Sequence, residues 1–207
     1  MPGHEIVVFH SALGLRPGLV AWAEALRDAG HTVHTPDFYD GEVFDDPASA
    51  ARKIQDIGFD GMLQRSFDAV RELPDELIYA GFSNGGACAE LLAATRPGAK
   101  GAVLIGAPLM IKDLDWQVWP SSVPVDVHFC QNDPRRNQPT VERFAGRVRE
   151  AGAVFTEYLY PGACHHLADP ARPGYDEDAA KAVLAQVIKN LQLPDAYIYT
   201  VRDIDDA

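Results

Sequence analysis

Ser83 lies in the run Gly81-Phe82-Ser83-Asn84-Gly85, which has the form G-x-S-x-G. A serine hydroxyl is a poor nucleophile at neutral pH and needs a base beside it. Imidazole suits that role because its unperturbed pKa is about 6.5, and it needs a carboxylate to fix its tautomer. Asp133, in Gln131-Asn132-Asp133-Pro134, and His165, in Tyr160-Pro161-Gly162-Ala163-Cys164-His165-His166, follow the serine in that order, acid then histidine. The chemistry indicated is acyl transfer from a carbonyl to the serine oxygen. A developing oxyanion then needs two fixed N–H donors. Asn84, next after the serine, supplies one. The loop His10-Ser11-Ala12-Leu13-Gly14 supplies the other, from the N–H of Ala12, with the Ser11 hydroxyl able to assist.

Each piece alone has a plainer explanation. With 6 serines and 17 glycines in 207 residues, chance supplies roughly 0.04 matches to the serine motif. Asp133 before Pro134 also has the form of a turn. Position decides between the readings. Asp126 lies along an expected strand, and Asp113 and Asp115 precede the strand expected to carry the acid. His10 and His128 end or lie in expected strands and read as core histidines. His165 and His166 are adjacent, so these residues alone leave open which one reaches Ser83. A metal pair is disfavoured, because adjacent residues rarely place both rings on one ion.

The elements that must position these groups alternate along the chain. Short apolar runs at Glu5–His10, His31–Thr35, Glu76–Ala80, Gly101–Gly106, Pro124–Cys130 and Ala153–Tyr160 read as strands. Between them, Leu19–Ala29, Phe59–Leu73, Ala87–Ala94, Thr140–Ala151 and Glu177–Leu191 read as helices. Gly30 and Gly152 are placed as helix stops. Alternation of this kind predicts a mostly parallel, doubly wound α/β sheet with helices on both faces. Ser83 then falls on a sharp strand-to-helix turn, the nucleophile elbow of the α/β-hydrolase fold. The stretch Pro108–Val123, with Trp116 and Trp119, either shapes a pocket or tucks its aromatics onto the core. Residues 1–193 are expected to form a single domain with little or no lid, followed by an acidic tail over 194–207.

Composition narrows the partners. The formal net charge is -12 and no cluster of Lys and Arg stands out, which disfavours nucleic acid and anionic membranes. No apolar run reaches membrane-spanning length, and the first residues lack a basic, signal-like region. A cytoplasmic protein, monomer or homodimer, is expected. Three cysteines without a C-x-x-C spacing argue against a disulfide framework or zinc site. Cys88 and Cys130 read as small buried apolar residues, and Cys164 as a small residue in a tight turn.

The same residues resemble the dienelactone hydrolase family of α/β-hydrolases over nearly the whole chain, from Ile6 to about Leu191. His10-Ser11-Ala12-Leu13-Gly14-Leu15 resembles its oxyanion loop, and Gly30-His31-Thr32-Val33-His34-Thr35-Pro36-Asp37-Phe38 its "G-y-x-v-x-x-P-D-l" segment. Gly81-Phe82-Ser83-Asn84-Gly85-Gly86 is similar to its elbow and Tyr160-Pro161-Gly162-Ala163-Cys164-His165 to its "Y-p-G-a-x-H" segment. The last similarity selects His165 over His166. Three departures follow from the same resemblance. The namesake enzymes use a cysteine nucleophile where this chain has Ser83. They carry a glutamate in the first loop where Ser11 stands. They place an arginine four residues after the histidine, for the lactone's carboxylate, where this chain has Asp169.

The expectation is a serine hydrolase that cleaves a small, uncharged carboxylic ester or lactone through an acyl-enzyme. Ser83, His165 and Asp133 would be catalytic, with Ala12 and Asn84 at the oxyanion. Ser11, Leu13, Phe38, Tyr39, Trp116 and His166 would line the substrate pocket. No metal or other cofactor is required by this chemistry. Two alternatives use the same residues: an acyltransferase, thioesterase or other biosynthetic reaction on the same triad, and a non-catalytic binding protein on a hydrolase scaffold.

Overall fold

Side chains alternate along the first strand, β1 (Glu5–Phe9), and both sets are fully buried. Val7 and Phe9 join the core on one face, and Ile6 and Val8 the core on the other. A strand that is apolar on both faces must be covered by helices on both. The computed structural model describes residues 3–108 and 118–192. In it, α1 (Pro17–Asp28) and α5 (Glu177–Leu191) cover one face, through Leu19, Trp22, Leu26, Val183 and Val187. The other face is covered by α2 (Pro47–Val70), α3 (Asn84–Thr95) and α4 (Gln138–Glu150), through Val70, Leu92, Phe144 and Val148.

The remaining strands are β2 (Thr32–His34), β3 (Leu77–Phe82), β4 (Gly101–Ile105), β5 (Val125–Cys130) and β6 (Phe155–Tyr160). All neighbours pair in parallel, in the order β2-β1-β3-β4-β5-β6. The chain therefore runs outward from β1 to β2, then returns across β1 and continues outward the other way. This reversal opens a crevice at the C-terminal ends of β1 and β3, where open α/β sheets bind ligands. The loop that begins at His10 follows β1, and Ser83 follows β3.

Two features depart from the sequence expectations. The helix expected from Phe59 begins at Pro47, and Gly58 interrupts it with φ 73° and ψ 166°. Asp46 caps it, its carboxylate accepting from the Ser49 N–H at 2.7 Å. Over residues 47–57 only Ala50 is fully buried, and Ile54 and Ile57, at helical spacing from it, are half-buried, so the apolar stripe of that first segment is narrow. The second departure is a correction. Cys130 and Cys164, expected to be unpaired, form a disulfide with Cα atoms 5.8 Å apart, while Cys88 is a buried free thiol. The partners are 34 residues apart in sequence and meet only because β5 and β6 are neighbours. Closing a loop of that length is worth about 4 kcal/mol in the chain-entropy picture. Trp116 and the tail 194–207 lie outside the described residues.

The elbow rests on close backbone packing. A Cβ on Gly85 would lie 2.4 Å from the Phe9 carbonyl oxygen, and one on Gly81 would lie 2.3 Å from that of Gly85. Gly85→Ala should therefore push α3 away from β1 and cost about 3 kcal/mol or more, read as a fall in the urea midpoint. His128, in β5, is stacked on Tyr158 with its Nδ1 paired to the Tyr160 hydroxyl at 2.8 Å. Burial pushes its pKa down to about 3, so it is neutral when folded and takes up a proton on unfolding below about pH 6.5. That uptake favours the unfolded chain as pH falls. The stability difference between native protein and His128→Phe should shift against the native by up to about 2 kcal/mol between pH 7.5 and 5, measured as paired denaturation curves.

Candidate active site

Ser83 occupies the single residue between β3 and α3. Its φ of 50° and ψ of -116° place it in a region that side chains rarely adopt. The turn is held on both sides. The Ser83 N–H donates to the Ile105 carbonyl at 2.8 Å, and the Gly86 N–H donates to the Ser83 carbonyl at 2.8 Å. This geometry lifts Oγ above the sheet edge at the N-terminus of α3, where the helix dipole favours negative charge.

His165 and Asp133 arrive on the loops after β6 and β5. The Nδ1–H of His165 donates to Asp133 Oδ2 at 2.8 Å, and Nε2 lies 2.9 Å from Ser83 Oγ. A carboxylate only accepts, so Nδ1 is the protonated nitrogen and Nε2 accepts from the serine hydroxyl. The other carboxylate oxygen accepts from the Arg135 N–H at 2.8 Å. The Asp133 side chain is fully buried and that of His165 is 6% exposed. Gly106 makes room for the imidazole, since a Cβ there would stand 3.0 Å from His165 Cε1. Asp126, by contrast, accepts from Asn190 at 2.7 Å and ties β5 to α5.

The loop after β1 is pinned from below by His10. Its Nδ1 donates to the Ser11 carbonyl at 2.7 Å, and its Nε2 accepts from the Phe38 N–H at 3.0 Å. Burial lowers its pKa, which keeps it neutral in this double role. Ser11 Oγ accepts from the Leu13 N–H at 3.2 Å, and the Ser11 carbonyl also accepts from Gly14 at 3.1 Å. The N–H groups of Ala12 and Asn84 make no hydrogen bond among the described residues, and Asn84, as the first residue of α3, has no partner within its helix.

Two cavities flank Ser83, with Ser11, Leu13 and His166 lining both. The smaller, about 30 Å³, is walled by Leu19, Phe82, Leu167, Arg16 and Asp169. The larger, about 170 Å³, is walled by Ala12, Asn84, Arg135 and the α2 residues Pro47, Ala50 and Ile54. A space of that size accommodates a group about as large as benzene. Phe38 and Tyr39, expected at the pocket, line neither cavity. They are buried in the core, packed on the His10 ring at 5.3 and 4.8 Å. Trp119 is likewise a core residue, its Nε1–H donating to the Val123 carbonyl at 2.7 Å.

Charge beside the smaller cavity is compensated. Arg16 pairs with Asp169 and with Asp45, the latter at 2.9 Å, and donates to the Phe44 carbonyl at 3.0 Å. Desolvation first, then His165, Arg172 and Arg135, push the His166 pKa down to about 4, so His166 is neutral near pH 7. Sequence reasoning did not find Arg16, Arg135 or the α2 wall. Arg16 and Asp169 are separated by 153 residues, and no local pattern links them. The Asp46-Pro47 start of α2 was the available signal for that wall.

The fold has recognisable relatives. No curated protein matches the sequence. A dienelactone hydrolase-like promiscuous phosphotriesterase from metagenomic libraries shares 23% identity over 92% of this chain and 86% of its own, with a TM-score of 0.75. Esterase 2 of Thermogutta terrifontis, in a structure phosphorylated by paraoxon, shares 17% identity over 92% of this chain and 82% of its own, with a TM-score of 0.63. The model of the dienelactone hydrolase family matches residues 2–193, and this chain belongs to that family of hydrolases.

Proposed function

We propose that this protein is a serine hydrolase that cleaves a small, uncharged carboxylic ester or lactone through an acyl-enzyme. The observation that carries the reading is the continuous hydrogen-bonded chain from Asp133 Oδ2 through His165 to Ser83 Oγ, with links of 2.8 and 2.9 Å. His165 Nε2 takes the hydroxyl proton as Oγ attacks the carbonyl carbon. The carbonyl oxygen becomes an oxyanion and accepts from the N–H groups of Ala12 and Asn84. The imidazolium, held by Asp133, returns its proton to the departing alkoxide. A water activated by the same imidazole then attacks the acyl carbon and frees Ser83. In a lactone the leaving hydroxyl stays covalently part of the acyl group, and the second step releases a single hydroxy acid.

The cavity chemistry supports the substrate class. A volume of about 170 Å³ is below the usual range for drug-sized ligands and favours a compact acyl or alcohol group. The Arg16 charge beside the smaller cavity is already paired with Asp169. A substrate carboxylate there would meet a compensated cation and an additional anion.

The test is pre-steady-state release of p-nitrophenolate from p-nitrophenyl acetate. The native protein should give a burst near one equivalent, and Ser83→Ala should give none, with turnover lower by roughly 10⁴-fold or more. Equal slow release from both would overturn the reading. Paraoxon, which phosphorylates the Thermogutta esterase, should add one diethylphosphoryl group at Ser83, seen by peptide mass. Asp169→Asn should narrow the preference for neutral over carboxylate-bearing esters by about tenfold in kcat/KM, since Arg16 then keeps only the exposed Asp45 as counter-charge. An unchanged ratio would remove charge compensation from the account.

A further inference from the structure

We propose that the disulfide between Cys130 and Cys164 is a clasp that positions Asp133 against His165, so that its reduction slows acylation. The proposal rests on the triad reading above. Cys130 is the last residue of β5, three before Asp133, and Cys164 immediately precedes His165. The bond therefore joins the acid loop to the histidine loop within three residues of the groups that must meet. Both sulfurs are buried, with residue exposures of 0% and 3%, in the core that also holds Tyr160 and Leu167.

The other ties between the two loops stop short of the site. The Gln131 N–H donates to the Tyr160 carbonyl at 2.8 Å, and the Asn132 N–H donates to the Gly162 carbonyl at 3.0 Å. Past these, among the described residues, no backbone hydrogen bond joins the acid loop to the segment bearing His165. What joins them there is the S–S bond and the Asp133–His165 hydrogen bond itself. A hydrogen bond weakens steeply once its angle closes. The same imidazole must also keep Nε2 aimed at Ser83. A covalent tie one residue away limits both errors, and misplacement by about 1 Å can cost about 10² in rate. Cys130 and Cys164 are positioning residues and touch no substrate.

The switch balances as thiol–disulfide exchange. Closing the clasp removes two protons and two electrons from the Cys130 and Cys164 thiols, and a small-molecule disulfide accepts them, becoming two thiols. Opening it takes two electrons and two protons from a dithiol, which leaves as its own disulfide, through a mixed-disulfide intermediate. The burial of both sulfurs means that the histidine loop must open transiently before a reductant can attack.

The experiment compares the oxidised protein, the same protein reduced with dithiothreitol, and C130A/C164A, each with thiols counted by iodoacetamide alkylation and intact mass. Reduction should lower the acylation rate constant for p-nitrophenyl acetate about tenfold with little change in KM, and oxidised glutathione should restore it. C130A/C164A should match the reduced protein and ignore dithiothreitol, whereas Cys88→Ala should keep the response. In Asp133→Ala, where the positioned bond is already lost, removing the clasp should change the rate by less than about twofold. A native rate that stays within about twofold after both thiols are freed overturns the proposal, as does three alkylatable thiols after treatment with oxidised glutathione. Equal slowing in Asp133→Ala also overturns it, because the effect would then be general loosening. An oxidised protein with no Ser83-dependent burst removes the triad reading and the clasp with it. A burst indifferent to thiol state removes the clasp alone.

Discussion

The elbow at Ser83 depends on backbone packed against backbone. A residue at φ 50° carries strain of about 1–3 kcal/mol and persists only where its surroundings over-determine it. Here the over-determination comes from glycines. Gly85 lies against the carbonyls of Phe9 and His10, Gly81 against that of Gly85, and Gly86 against Ala107. Because α3 can approach β1 this closely, the loop after β1 and the first turn of α3 share one crevice. The N–H groups of Ala12 and Asn84 end beside the same cavity as Ser83 for that reason.

Around this fixed point the site is assembled from groups whose charge is suppressed or paired. Burial keeps His10 neutral, so it can donate on one side and accept on the other while holding the Ser11 carbonyl. His166 is kept neutral at the boundary of the two cavities. Arg16 is enclosed by Asp169, Asp45 and the Phe44 carbonyl. A chain with a net charge of -12 thus lines its smaller cavity with neutral and compensated groups, while the Arg135 cation borders the larger one.

Asp133 and His165 are held differently from Ser83. Ser83 is fixed by regular elements on both sides, whereas Asp133 and His165 ride on loops. Those loops are held at their bases by strand-end hydrogen bonds and, next to the reacting groups, by the Cys130–Cys164 bond. Asp133 has both oxygens occupied, by His165 and by the Arg135 N–H. Gly106 shapes the space into which the imidazole turns.

Local pattern was enough to mark the alternating strands and helices, the elbow, and the order of serine, acid and histidine. Each of these is written in short-range terms: apolar periodicity, glycines beside a serine, a glycine stop, a Pro beside an Asp. The first segment of α2 escaped because it is mostly exposed and its apolar stripe is only Ala50, Ile54 and Ile57, although Asp46 and Pro47 announce its start. Phe38 and Tyr39 follow the second strand and carry no local mark of where they pack. Only packing shows that they support His10. The Cys130–Cys164 bond, the Arg16–Asp169 pair and the two-sided cavity belong to tertiary structure alone. They join residues 34 and 153 positions apart, and such pairings depend on strand order and loop direction, which a single sequence does not state in any local pattern.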